Sequence, residues 1–186
     1  MIHVKIHEDD EGMRNLWPAA VSDEVLKDMD ASVEDSERNR SASGQGWDDV
    51  HVVTPPSADF TSVDLRIEQV EAALANILPR VSSFTVGETP RNPFYHHDDN
   101  PLCFGLGNEL YIKFEVKDGR ISHIWFDVWT SNPEKLEKLQ NALQAIEAIT
   151  PCVVADYWAH ADGFLGNPKF VDAYIAHLAK FDGAEP

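Results

Sequence analysis

The sequence predicts an α+β fold: a mostly antiparallel or mixed sheet, with a three-strand meander at about residues 102–129 and four helices packed on it. Two observations carry this. Segments with apolar residues at helical spacing are interleaved with segments of period two, and three consecutive strand-like runs fall together in the middle, where a purely parallel design would place another crossover helix. With 186 residues, 43% of them hydrophobic, the chain has enough apolar material for one core. No repeat of 20 to 50 residues is visible. A single domain over residues 1–186 follows, with Thr54 to Thr61 the nearest candidate boundary and residues 1–54 a candidate acidic subdomain.

Ile2, Val4 and Ile6 alternate with His3, Lys5 and His7, as in a half-buried strand. Ser22 is placed to cap a helix running to about Arg38, on which Val25, Leu26, Met29 and Val33 share one side. A Ser/Gly-rich loop follows at residues 41–46, and Trp47 to Val53 reads as a strand stopped by Pro55-Pro56. Asp64 is placed to cap a second helix with Ile67, Val70, Leu74, Ile77 and Leu78 inward. Ser82 to Val86 is a short strand, and residues 87–101, with three prolines, form the longest loop.

Leu102 to Leu106, Glu109 to Lys117 and Ile121 to Trp129 make up the meander. A two-residue turn at Asp118-Gly119 sets Leu110 opposite Asp127 and buries an acid. A three-residue turn with Gly119 left-handed sets Leu110 opposite Phe126 and Ile112 opposite Ile124, and amphipathicity favours it. Gly105-Leu106-Gly107-Asn108 lacks the Lys-Ser/Thr of a phosphate loop and leads into a strand, so it reads as a hairpin turn. Ser131 and Asn132 compete to cap a third helix with Pro133 in its first turn and Leu136, Leu139, Leu143 and Ile146 inward. Pro151 to Tyr157 is nearly all apolar, as in a strand interior to the sheet. Asn167-Pro168 opens a last helix with Val171, Tyr174, Ile175 and Leu178 inward, and the tail after Phe181 is short.

Charge narrows the function classes. The net charge is −17, and residues 8–37 hold eleven acids against Arg14 and Lys27. Phosphate contacts need Lys and Arg, so no nucleic-acid partner is expected. No apolar run is long enough to span a membrane and the first residues lack a signal-peptide core, so a cytoplasmic address is expected. Cys103 and Cys152 lie in apolar runs without electropositive neighbours and read as buried small hydrophobes. No Gly-x-Ser-x-Gly elbow and no cofactor motif is present; no cofactor and no catalytic residue is expected.

Two constellations remain. The first is the acidic helix, where Asp23, Glu24, Asp28, Asp30, Glu34, Asp35 and Glu37 surround the apolar stripe, with Asp48 and Asp49 beyond it. Such a carboxylate array steers a basic partner, and exposed aromatics from Trp125, Trp129 and Trp158 would give the contact a dry centre; packing of the hairpin aromatics under a helix is the bland alternative. The second is His96-His97-Asp98-Asp99 in the Pro-rich loop. With His160 it offers imidazoles and carboxylates of the kind a divalent metal takes, which would suit a metal-dependent hydrolase, although adjacent residues rarely aim at one point.

The acidic opening, the hairpin from Glu109-Leu110-Tyr111-Ile112-Lys113-Phe114-Glu115-Val116 to Trp129, and the segment Val153-Val154-Ala155-Asp156-Tyr157-Trp158 resemble the class of bacterial immunity proteins that neutralise polymorphic toxins. The resemblance implies a protein that binds a cognate toxin with a basic surface, such as a nuclease, occludes its active site and performs no chemistry of its own. An acidic regulatory or scaffold domain is the other class consistent with this composition.

Overall fold

The structure, a computed structural model, describes residues 1–43, 46, 48, 49 and 51–180. Among these residues the fold is α+β, with four α-helices and two sheets. The strands are β1 (His3–Ile6), β2 (Arg14–Pro18), β3 (Ser83–Val86), β4 (His96–Asp99), β5 (Cys103–Gly105), β6 (Leu110–Lys117), β7 (Arg120–Val128), β8 (Cys152–Asp156) and β9 (Ala161–Phe164). The helices are α1 (Ser22–Arg38), α2 (Ile67–Leu74), α3 (Pro133–Glu147) and α4 (Pro168–Leu178). The large sheet has the order β5-β6-β7-β2-β8-β9 and is antiparallel throughout. The small one has the order β1-β3-β4, with β1 parallel and β4 antiparallel to β3.

Alternation along the strands decides what covers each face of the large sheet. Leu16, Ile112, Phe114, Ile124, Phe126 and Val154 face a core completed by Val70 and Leu74 of α2, Leu139 and Leu143 of α3, and Val171 and Leu178 of α4. The opposite face carries two smaller cores. Tyr111 and Trp125 are covered by Phe84 and Val4 of the small sheet, with Phe84 edge-on to Tyr111 at 5.3 Å and to Trp125 at 5.5 Å. Trp17, Val153, Ala155 and Tyr157 are covered by Val25 and Met29 of α1. Tyr111 and Trp125 therefore lie under a sheet, where the sequence offered packing under a helix or partial exposure.

The hairpin register differs from the expected one. Asp118 and Gly119, at φ 52° and 76°, form a two-residue turn of the type that demands two left-handed residues. Val116 pairs with Ile121, and a bulge then leaves Ser122 without a partner, so that Glu115 meets His123, Ile112 meets Phe126 and Leu110 meets Val128. The bulge restores the sidedness that amphipathicity requires and reconciles it with the tight turn.

Three strands depart from the sequence reading. β2 lies inside the large sheet although its sequence, Arg-Asn-Leu-Trp-Pro, shows no alternation of polar and apolar; β4 forms an edge within the Pro-rich loop; β9 follows β8 by a short turn. The expected strand Trp47–Val53 has Trp47 and Val50 outside the described residues, and His51 to Val53 is irregular; the tail beyond Lys180 is also outside them. Ser22 is the first residue of α1 and supplies no side-chain cap, Val21 taking that position. Asp64 closes a preceding turn of 3-10 helix in a left-handed conformation, and Arg66 with Gln69 caps α2. Asn132 wins the competition to cap α3, accepting from the amides of Glu134 and Lys135. Both cysteines are buried, and burial pushes their thiols up out of the reactive range. Among the described residues no helix is long and apolar enough to cross a membrane.

Candidate functional site

The carboxylates of α1 sort by angle into two sets. At 100° per residue, Val25, Met29 and Ser32 form the buried side. Beside them Glu24, Asp28 and Asp35 lie within about 40° of one another. They hold the irregular segment 51–57, which lies along α1 as a strap. Glu24 accepts from the amide of Ser57 at 2.7 Å and from its hydroxyl at 2.6 Å. Asp28 accepts from the Thr54 amide at 3.2 Å and from the Tyr157 hydroxyl at 2.6 Å. His51 stands between Asp28 at 3.3 Å and Asp35 at 2.8 Å, and Arg38 also pairs with Asp35.

These contacts set the titration of the strap. Partial burial works against charged His51, but hydrogen bonds and charge from Asp35 and Asp28 outweigh it and raise the imidazole pKa. Burial also opposes ionisation of Asp28, yet the donors Tyr157, Thr54 and His51 together hold it below the usual carboxylate range. The His51 hydrogen bond does the same for Asp35, and Ser57 does so for Glu24.

The second set, Asp23, Asp30, Glu34 and Glu37, falls within about 60° of arc on the outer side, with Lys27 just beyond its edge. All four carboxylates are exposed, and none has a hydrogen-bond or ion-pair partner among the described residues. Asp162 of β9 adds its charge next to Asp30: burial chiefly, and Asp30 secondarily, raise its pKa. Asp48 and Asp49 are exposed in the loop beyond α1.

The aromatic candidates divide. Trp125 is 2% exposed and enclosed by Phe84 and Tyr111, which removes it from any contact surface. Trp129 and Trp158 are half-buried with ring centres 6.3 Å apart, and the Arg14 guanidinium lies 5.5 Å from the Trp129 ring centre. Arg14 is the centre of a buried network missed from sequence. Its Nε donates to Asp156 at 3.0 Å and its Nη1 to Asp127; Tyr174 donates to Asp156 at 2.7 Å, and Trp129 Nε1 to Asp127 at 2.5 Å. Burial disfavours the Arg14 charge, but Asp156 and Asp127 outweigh it and raise its pKa further.

The histidine-aspartate run is not gathered into a metal cage. His97 bonds to Thr85 at 2.7 Å and approaches Asp99 at 3.2 Å along the exposed β4, while His160 lines a separate recess with Val33, Glu37 and Arg40 of the α1 end. Among the described residues no group of three or more His, Cys, Asp or Glu is placed to hold a metal ion.

The strap also walls a cleft of about 740 Å³ whose lining the sequence did not single out. Its lining includes Val53, Pro55, Pro56 and Ser57 of the strap, Asp59 just after it, and Trp17 and His123 of the large sheet. Trp17 stacks on His123 with ring centres 4.6 Å apart. The bulge at Ser122 also borders the cleft, where a break in the ladder re-aims side chains.

Comparison with known protein families, with curated proteins and with solved structures brings out no match to this chain.

Proposed function

We propose that the protein is a stoichiometric inhibitor that binds a basic protein partner through α1, in the manner of bacterial immunity proteins that neutralise a cognate toxin. The single observation behind this is the partition of the α1 carboxylates. Three are consumed in holding the strap, while four others form an exposed outer stripe with no partner among the described residues. Like charges at the i,i+4 spacing of Asp30 and Glu34 and the i,i+3 spacing of Glu34 and Glu37 each cost a few tenths of a kcal/mol. A basic partner relieves that repulsion on docking and is steered toward it over long range.

The test is co-expression with the product of the adjacent reading frame, which this reading expects to be a toxic domain; a neighbour that is not toxic overturns the proposal. Co-expression is expected to restore growth through a one-to-one complex whose association slows as salt rises. The triple variant Asp30→Lys, Glu34→Lys, Glu37→Lys is expected to lose protection while keeping its circular dichroism spectrum. Protection by the triple variant equal to that of the parent chain overturns the proposal. Charge reversal at Glu24, Asp28 or Asp35 is unsuitable as a test, because it disturbs the strap.

A further inference from the structure

We infer that the cleft bounded by Trp17, His123 and Asp59 is a binding site for a planar nitrogen cation, a guanidinium or amidinium group. The tautomer of His123 is the first step. Asn15 donates its amide nitrogen to the Gly12 carbonyl at 2.6 Å, which turns its Oδ1 toward His123. His123 Nε2 lies 2.9 Å from that oxygen and must carry the hydrogen, so Nδ1 is left as a bare acceptor with no partner among the described residues. Burial keeps the ring neutral, its pKa pushed down to about 4 against the opposing charges of Glu115 and Asp59.

The second step is Asp59. Its Oδ1 accepts from the amide and hydroxyl of Thr61, which fixes the carboxylate at the start of the 3-10 turn and leaves Oδ2 without a hydrogen-bond partner among the described residues. The cleft thus offers two acceptors, one of them charged. Its lining also contains the flat rings of Trp17 and His123, stacked with centres 4.6 Å apart, and the apolar rings of Pro55 and Pro56. Among the described lining residues the one cationic side chain is Lys117, exposed at the hairpin turn. A ligand that satisfies this set is planar, rich in N–H donors and positively charged, and an anion would meet Asp59 and a chain of net charge −17. The volume lies within the range of sites for small molecules, roughly 300–1,000 Å³. The site is separate from the outer stripe of α1 and does not rest on the inhibitor proposal.

The test is an NMR titration of the full-length, isotope-labelled chain with benzamidine, using benzoate as its anionic counterpart of matching shape. Benzamidine is expected to shift the Trp17 indole and His123 ring signals saturably, with benzoate at least about tenfold weaker. Asp59→Asn keeps an oxygen for the Thr61 amide and is expected to weaken benzamidine about tenfold. Acetyl-Gly-Arg-Gly-amide separates the sources: tighter binding than benzamidine assigns the site to a protein arginine, weaker binding to a free small molecule. Equal responses to benzamidine and benzoate overturn the inference, as does the absence of saturable shifts at the cleft up to about 10 mM. The benzoate comparison on the parent chain keeps this decisive even if Asp59→Asn fails to fold. The triple α1 variant is expected to bind benzamidine unchanged.

Discussion

Tyr157 donates its hydroxyl to Asp28 over 2.6 Å, which joins the end of β8 to the middle of α1 at the point where the Thr54 amide also reaches Asp28. Helix, sheet and strap meet at this one carboxylate. Tyr157→Phe is expected to cost about 1 kcal/mol and Asp28→Ala about 1–3 kcal/mol, because hydrogen bonds to a charged acceptor exceed those between neutral groups. Chemical denaturation measures the loss, and hydrogen exchange is expected to rise first at the backbone amides of Thr54 and Ser57.

His51 makes the strap responsive to pH. Its pKa is raised by Asp35 and Asp28 despite partial burial, so its contribution to stability is complete below the ordinary histidine value of about 6.5 and disappears as the pH climbs through the higher folded value. Asp28 and Asp35 are lowered, so theirs is present above the ordinary carboxylate range and lost on acidification. His51→Gln is expected to destabilise the chain most at mildly acidic pH and least above the folded pKa of His51. A stability difference that stays constant across that window contradicts the assignment.

Arg14 is 2% exposed and faces two buried carboxylates. Removing it leaves Asp127 and Asp156 as uncompensated charges. Arg14→Met is expected to cost about 3–5 kcal/mol, and the triple variant Arg14→Met, Asp127→Leu, Asp156→Leu to recover much of that loss. Thermal unfolding of the two proteins side by side checks both statements.

Gly105 lies against β6 where a Cβ would come within 2.7 Å of the Tyr111 Cα and closer still to the Leu110 carbonyl. The obstacle is backbone, which cannot swing aside. Gly105→Ala is expected to cost about 1–3 kcal/mol through separation of β5 from β6. Gly119→Ala meets nothing within 4 Å and pays only for its left-handed backbone, about 1 kcal/mol.

Elements whose signal is local were legible in the sequence. α1, α3 and α4 have stripes of apolar residues, Pro133 and Pro168 mark two helix starts, and the meander alternates. β2 was not legible, because Arg14 and Asn15 interrupt its apolar pattern and the residues that neutralise Arg14 lie 113 and 142 positions away. The hairpin register required a bulge at Ser122 that alternation cannot distinguish from a longer turn. In the candidate site the number of acids on α1 could be read, but not their division of labour. Glu24, Asp28 and Asp35 are set apart by the strap, whose Pro and Ser residues carry no periodicity. The tautomer of His123 depends on Asn15, 108 positions distant.

One of the two edge strands of the small sheet, β4, is made of four consecutive ionisable residues, His96 to Asp99, with three of the four exposed. An incoming strand from a neighbouring copy would have to strip water from histidines and aspartates with nothing apolar to offset the loss. This margin therefore repels its own kind, so crowding of many copies does not extend the three-stranded sheet across its β4 side.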